Sequence, residues 1–153
     1  MDFKFNEEQL MFQQAIRDFA EKEIAPLVEQ AEENEKFPVE LFPKLGALGC
    51  LAIGYANFGG GGMGKMGESI FHEEVGRINT GIASTLNAHM CLATSMIADY
   101  GSEEQQERYL IPALKGQKIA AFGLTESDAG SDTSALKTVA VKDGDGYIIN
   151  GSK

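Results

Sequence analysis

The chain has 153 residues, enough for one domain with a real core, and its composition is that of an ordinary soluble protein: 43% hydrophobic, 24% charged. Thirteen Lys and Arg against 23 Asp and Glu give a net charge of −10, which disfavours nucleic acid and anionic membrane surfaces as partners. No apolar run is long enough to span a bilayer, and Met1-Asp2-Phe3-Lys4 lacks the basic, apolar pattern of a signal peptide, so a cytoplasmic location is expected.

In chain order, helices come first. Asn6 with Gln9 three residues on reads as a capping box, with Glu7 and Glu8 in the favourable first turn. Phe12, Ala15, Ile16, Phe19, Ala20 and Ile24 then fall on one apolar stripe, which continues through Pro26 with a kink. Pro38 at the first helical position predicts a short second helix that Gly46 or Gly49 ends. Lys65–Arg77 and Thr80–Tyr100 read as two further helices, the latter closed by Gly101. Ser102 with Gln105 caps another, which Pro112 and Gly116 end. Cys50 and Cys91, far apart, fit reduced thiols better than a disulfide.

Between the second and third helices lies a glycine cluster with three readings. Gly59 to Met66 matches a phosphate-binding P-loop except at its last position, where Met66 replaces the hydroxyl that ligates Mg²⁺. Gly62 to Gly67 also satisfies G-x-G-x-x-G, but no acidic residue stands about 20 positions on for a ribose hydroxyl. The plain reading is a connector whose glycines let the backbone turn. His72 and His89 have no metal-ligand spacing, and no metal site is expected. His72 reads as a solvated or capping imidazole, and Glu73-Glu74 as a solvated helix face. On the helix from Thr80, Ala83, Ser84, Asn87 and Cys91 form a stripe of small, semi-polar residues. It is either a packing seam or the lining of a cavity, with Leu86, Met90 and Ile97 facing elsewhere.

From Lys118 onward the apolar period falls towards two. A strand-like run from Ala120 to Leu124 empties into Thr125-Glu126-Ser127-Asp128-Ala129-Gly130-Ser131-Asp132, a polar loop suited either to hold a ligand or to serve as a solvated connector. A hairpin follows, with strands Thr138–Lys142 and Tyr147–Asn150 around Asp143-Gly144-Asp145-Gly146. Helices followed by strands predict separate layers rather than a βαβ repeat.

Leu124-Thr125-Glu126, Ala129-Gly130-Ser131-Asp132, Thr138, Ala140, Gly144-Asp145, Tyr147, Asn150-Gly151 and Lys153 together resemble the signature of the flavin-dependent acyl-CoA dehydrogenases. The order upstream fits too: the opening helix, the segment from Pro38 to Cys50, the glycine-rich loop, Glu73-Glu74, and Gly101 to Leu110. The resemblance implies a mainly α fold: an N-terminal up-and-down helical bundle over 1–117, then the first strands of a β domain over 118–153, incomplete because the family's members are longer. It implies FAD as cofactor, an acyl-CoA substrate, an electron-transfer flavoprotein as acceptor and a homotetramer. The implied chemistry is α,β-dehydrogenation, in which a carboxylate outside this chain takes the α-proton and the β-hydrogen leaves as hydride to flavin N5. Carried over position by position, Phe122, Leu124, Thr125, Gly130 and Ser131 contact the flavin. Ser131 also meets the CoA arm, and Ala83, Ser84, Asn87 and Cys91 line the acyl pocket. No catalytic residue falls within these 153 positions, so the chain alone is expected to be inactive, with positive charge for the CoA phosphates lying elsewhere. Ser127-Asp128 departs from the Pro-Gly usual in the motif, leaving a carboxylate whose direction matters near phosphate. The alternatives are a nucleotide-binding module using Gly59 to Lys65, and a non-catalytic helical interaction module.

Overall fold

Asn6 opens the first helix, α1 (Glu7–Phe19), with the expected capping box: its side chain accepts the Gln9 amide at 2.8 Å while the Gln9 side chain takes the Asn6 amide at 3.0 Å. The computed structural model describes residues 4–153, so Met1-Asp2-Phe3, the start of the stretch compared above with a signal peptide, lies outside the described residues. A helical unit ends at Ala121, and Phe122–Lys153 forms a second unit.

Within the helical unit, α1 passes through a π-helical turn, Ala20–Ile24, into α2 (Ala25–Glu33). The wider turn sits just before Pro26, which has no N–H to give an α-helical ladder. The same device recurs at Gln106–Leu110 just before Pro112, so the chain stays helical from α7 (Glu103–Gln105) through α8 (Ile111–Leu114) rather than ending at the proline. Ile16, Ala20 and Ile24 are buried, with Phe12 and Phe19 packed beside them, whereas Ala15 is exposed. The buried stripe is narrower than the spacing suggested. Past α2, Glu35 stands at φ 51°, where the Lys36 amide reaches the Ala31 carbonyl and the Glu35 amide the Glu32 carbonyl. Those two bonds make a Schellman cap with a glutamate in the glycine position.

The short helix α3 is Leu41–Ala47, beginning three residues after Pro38, whose carbonyl accepts the Leu41 amide. Gly46 lies inside it and Gly49, at φ 72°, follows it. α4 (Gly64–Ile78) and α5 (Thr80–Asn87) come next, Asn79 capping the latter through the Ile82 amide. α5 runs through a third π-turn, Ala88–Ala93, into α6 (Thr94–Tyr100). That turn displaces carbonyls from the regular ladder. The Thr94 hydroxyl lies 2.7 Å from the Met90 carbonyl and 2.9 Å from that of His89, and the Tyr55 hydroxyl donates to Met90 at 2.9 Å. The core of this unit joins α1, α3, α4 and α5, with Phe42, Phe71, Leu86 and Met90 almost fully buried.

Glu74 corrects the reading of a solvated acidic pair. Glu73 is exposed, but Glu74 is 2% exposed, because adjacent helix positions diverge and Glu74 turns toward α1. There Arg17 grips it through Nε and Nη2, both at 2.9 Å, and Arg77 adds a contact at 3.0 Å. The Arg17 guanidinium holds this carboxyl below its ordinary range. A buried charge is tolerable only with partners of this quality.

In the second unit, strands β1 (Val139–Asp143) and β2 (Gly146–Asn150) pair antiparallel, Val141 opposite Ile148, one residue shifted from the expected bounds. The run from Ala120 to Leu124 forms no ladder within the described residues, because the sheet has only these two strands. Every strand residue is exposed, so burial does not order this unit. Glu126 does. Its carboxylate accepts the Lys137 amide at 2.7 Å, the Thr138 amide at 3.1 Å and the Lys153 ammonium at 2.9 Å. The Thr138 side chain, the Lys137 amide and Lys153 together hold its pKa down at about 2.

Two outcomes are expected from these features. Glu35→Gly relieves a left-handed glutamate and should stabilise the protein by about 0.5–1 kcal/mol, read as a raised denaturation midpoint; an unchanged or lowered midpoint refutes the strain. Because the folded pKa of Glu126 is depressed, its contribution is complete above the ordinary carboxylate value and is lost as pH falls toward 2. Hydrogen exchange at the Lys137 and Thr138 amides should therefore stay protected at pH 5 and accelerate in Glu126→Gln; equal exchange in both forms would show that the clamp is idle.

Candidate functional site

The polar loop of the second unit sorts its side chains into two sets. Glu126 and Ala129 exchange backbone hydrogen bonds at 2.9 and 3.2 Å, closing a tight turn over Ser127-Asp128 and burying Ala129 to 2% exposure. Asp128, the carboxylate that departs from the motif, pairs with the Lys137 ammonium, so its charge is offset within the loop. Asp132 caps the short turn Thr133–Ala135 through the Ser134 amide and hydroxyl. Lys153 donates to the Leu124 carbonyl at 2.9 Å as well as to Glu126. The carboxylates and lysines are thus occupied with one another and with the loop's own backbone.

The other set faces outward. Phe122 is 41% and Leu124 36% exposed, and Thr125, Gly130 and Ser131 are exposed. The Thr125 and Ser131 hydroxyls make no hydrogen bond among the described residues. Gly130 has an ordinary backbone angle, and a Cβ there would meet open space, so nothing in this unit requires glycine. These are the five positions singled out in the sequence for flavin contact, and they share one short stretch of surface chain. Its apolar faces, unengaged hydroxyls and bare backbone suit a flat aromatic ligand with polar edges.

In the helical unit, the four positions read as acyl-pocket lining divide by burial. Ala83 is 8% exposed and belongs to the core, Asn87 and Cys91 are half-buried, and Ser84 is exposed. Leu86 and Met90, which the periodicity set apart from this stripe, turn inward and are buried. Cys91 faces α4, where its Sγ stands 3.7 Å from His72 Nε2. His72 is therefore not solvated: the helix pairing half-buries it, and burial lowers its pKa. Burial, with Glu68 nearby, pushes the Cys91 thiol up to about 11. Both groups are thus neutral near pH 7, and the pair makes an inert wall rather than a thiolate nucleophile. Cys50 and Cys91 are both free thiols.

The glycine cluster behaves as a connector. Gly59, Gly61, Gly62 and Gly64 all have positive φ, and the Gly60 amide returns to the Tyr55 carbonyl at 3.0 Å. A single 3₁₀ turn, Ala56–Phe58, precedes it, not the strand that a phosphate-binding loop requires. Lys65 is paired with Glu68 at 2.7 Å. Among the described residues no group of three or more His, Cys, Asp or Glu is arranged to hold a metal ion.

Sequence reasoning missed two residues. His89 is 1% exposed, with Nε2 3.2 Å from the Ala113 carbonyl and Nδ1 accepting the Ala120 amide at 3.0 Å. Glu126 was seen as motif but not as a clamp. A lone histidine on an apolar face was the available signal for the first, and no local pattern marks the second.

Residues 6–117 match the family described as acyl-CoA dehydrogenase, N-terminal domain. The short-chain-specific acyl-CoA dehydrogenase of Clostridium acetobutylicum is 42% identical over 154 residues, covering 100% of this chain and 41% of that protein. A chain in the structure of the electron transferring flavoprotein of Acidaminococcus fermentans superposes with a TM-score of 0.89 at 38% identity, over 99% of this chain and 40% of that one. The acyl-CoA dehydrogenase of Bacillus anthracis, solved in complex with FAD, gives 0.84 at 35% identity over 97% of this chain and 26% of that one. The chain thus spans about two-fifths of the length of the curated relative and, by family match, sequence and fold together, belongs to the acyl-CoA dehydrogenase family.

Proposed function

We propose that the whole protein dehydrogenates acyl-CoA thioesters between the α and β carbons with FAD as cofactor, and that this chain contributes one face of the flavin site and part of the acyl pocket. The observation that carries the reading is the outward set at 122–131: apolar Phe122 and Leu124, unengaged Thr125 and Ser131 hydroxyls, and a glycine with no local need. When bound, FAD supplies the acceptor for the β-hydrogen. This chain's own residues bind and orient. Phe122 and Leu124 offer apolar surface to a planar ring, and the Thr125 hydroxyl offers a donor to a ring edge. Gly130 allows close backbone approach, and Ser131 offers a hydroxyl to the CoA arm.

The carboxylates of the loop do not serve as the base. Glu126 has its oxygens taken by three donors and a pKa of about 2, too low for efficient proton abstraction. Asp128 is paired with Lys137, and Asp132 is spent on its cap. The base therefore belongs to a part of the whole protein other than this loop. On the helical side, Ser84, Asn87 and Cys91 present a small, neutral wall to an acyl group, backed by Ala83. The resemblance of the fold to a chain of an electron-transferring flavoprotein structure supports such a flavoprotein as electron acceptor. A cytoplasmic homotetramer completes the proposal.

Stopped-flow reduction of the whole protein tests it. Thr125→Ala should slow flavin reduction about two- to tenfold, the effect of one net hydrogen bond of about 0.5–1.5 kcal/mol. Ser131→Ala should weaken acyl-CoA binding by a similar factor with less effect on the rate. Variants that keep FAD, reduce at the wild-type rate and bind acyl-CoA equally well would reduce the loop to a connector. Residues 1–153 alone, mixed with FAD, an acyl-CoA and an electron acceptor, should show no turnover; steady turnover would place a base within them. Calorimetry with Mg-ATP should give no heat of binding in wild type or Lys65→Ala, and micromolar binding lost in the variant would instead favour a nucleotide site at Gly59 to Lys65.

A further inference from the structure

The last residues of the helical unit, just before the outward-facing segment, are tied down by a histidine that the proposed chemistry does not use. His89 sits in the π-turn Ala88–Ala93, 1% exposed, with the Phe42 ring edge-on at 4.9 Å. A backbone carbonyl can only accept and a backbone amide can only donate. The Ala113 carbonyl at 3.2 Å therefore requires a proton on Nε2, and the Ala120 amide at 3.0 Å requires a bare Nδ1. One tautomer satisfies both contacts. The doubly protonated ring would set an Nδ1 proton against the Ala120 amide proton, and that bond would be lost.

We infer that His89 is a positioning residue: as the neutral Nε2-protonated tautomer it fixes the Ala120 amide to the end of α8, and so fixes the point from which the chain enters Phe122–Thr125. Three surroundings favour it. Burial lowers the affinity of the ring for a second proton. The charged groups on the elements packed around it, Lys44 on α3 and Lys115 and Lys118 beyond α8, are exposed, and none acts on the ring. Two positions past α8, Gly116 at φ 69° reverses the chain, so Ala120 returns to His89 across a short loop. The contribution has a definite sign. The folded ring resists protonation, so its hold on Ala120 is complete above the ordinary histidine value and fades as pH falls through the lowered one.

The catalytic consequence rests on the flavin role proposed for 122–131, whereas the tautomer does not, and two measurements separate them. In the whole protein, the imidazole ¹⁵N spectrum of His89 should show Nε2 protonated and Nδ1 bare, and should hold that form below pH 6.5. A ring protonated at Nδ1, or titrating at the ordinary value, overturns the inference whatever the protein binds. The second measurement compares His89→Leu, which removes both bonds, with His89→Asn, whose amide oxygen can replace Nδ1 as acceptor, and His89→Gln, whose amide can replace Nε2 as donor. Flavin visible spectrum and reduction rate are read in each. The Leu variant should perturb the spectrum and slow reduction about tenfold, with Asn restoring more than Gln. Should Leu fail to fold, the order of Asn and Gln still decides. Wild-type spectrum and rate in all variants, or Gln restoring more than Asn, overturns the positioning role. A wild-type protein without flavin refutes the proposed function instead, and leaves the tautomer to the ¹⁵N result.

Discussion

The Glu126 carboxylate is the interaction on which the second unit depends. Residues 122–153 bury almost nothing: all strand positions are exposed and Ala129 is buried only by the turn above it. A two-stranded hairpin in water is marginal without a packed face. Here one carboxylate gathers donors from two places, the residues leading into β1 through Lys137 and Thr138 and the residue beyond β2 through Lys153, while the Glu126 backbone closes its own turn with Ala129. The carboxylate that a motif search would nominate for chemistry is thereby committed to architecture. Its low pKa is a consequence of that commitment rather than a sign of catalytic tuning.

The helical unit uses the same solution with a core behind it. Glu74 is buried between α1 and α4, and Arg17 meets it with a two-pronged contact at 57 residues' separation. Such a pair contributes little net energy over an apolar isostere, but it leaves few other ways to set the two helices. The hydroxyls of Thr94 and Tyr55 do comparable work at the third π-turn, where widening of the helix frees carbonyls that must find donors. At the π-turn, then, polar side chains supply the donors that an interrupted ladder needs.

What the sequence revealed follows from the range of the interactions. Both capping boxes, Asn6 with Gln9 and Ser102 with Gln105, were legible because donor and acceptor lie three residues apart. The helix from Thr80 to Tyr100, the separation of Leu86 and Met90 from its small-residue stripe, and the hairpin to within one residue were legible for the same reason. Illegible were features whose partner is distant or whose rule is broken. Helix continuation through Pro26 was legible, though not the π-turn that carries it; Pro112 signalled an end that a second π-turn overrides, and Pro38 a start that α3 delays until Leu41. The glutamate at Glu35 occupies a glycine's conformation with no composition to mark it. Glu74, His72 and His89 looked like surface or neutral positions because their partners sit 57, 19 and 31 residues away.

The loop shows the same limit at the level of function. Composition left Thr125 to Asp132 either a ligand-holding loop or a solvated connector, and gave no way to tell which polar groups face outward. In the structure the charged groups pair with the loop backbone, with one another and with Ser134, while the Thr125 and Ser131 hydroxyls remain unengaged. This division has a physical logic. Had the segment been fixed by packing, Phe122 and Leu124 would be its natural core and would be withdrawn from any ligand. Fixing it with ion pairs and carboxylate–amide bonds leaves the apolar residues at the surface, the exposure on which the proposed flavin contact rests. The exposed pair and the occupied carboxylates are thus two sides of one arrangement, in which order within the loop comes from charge and its apolar side chains stay at the surface.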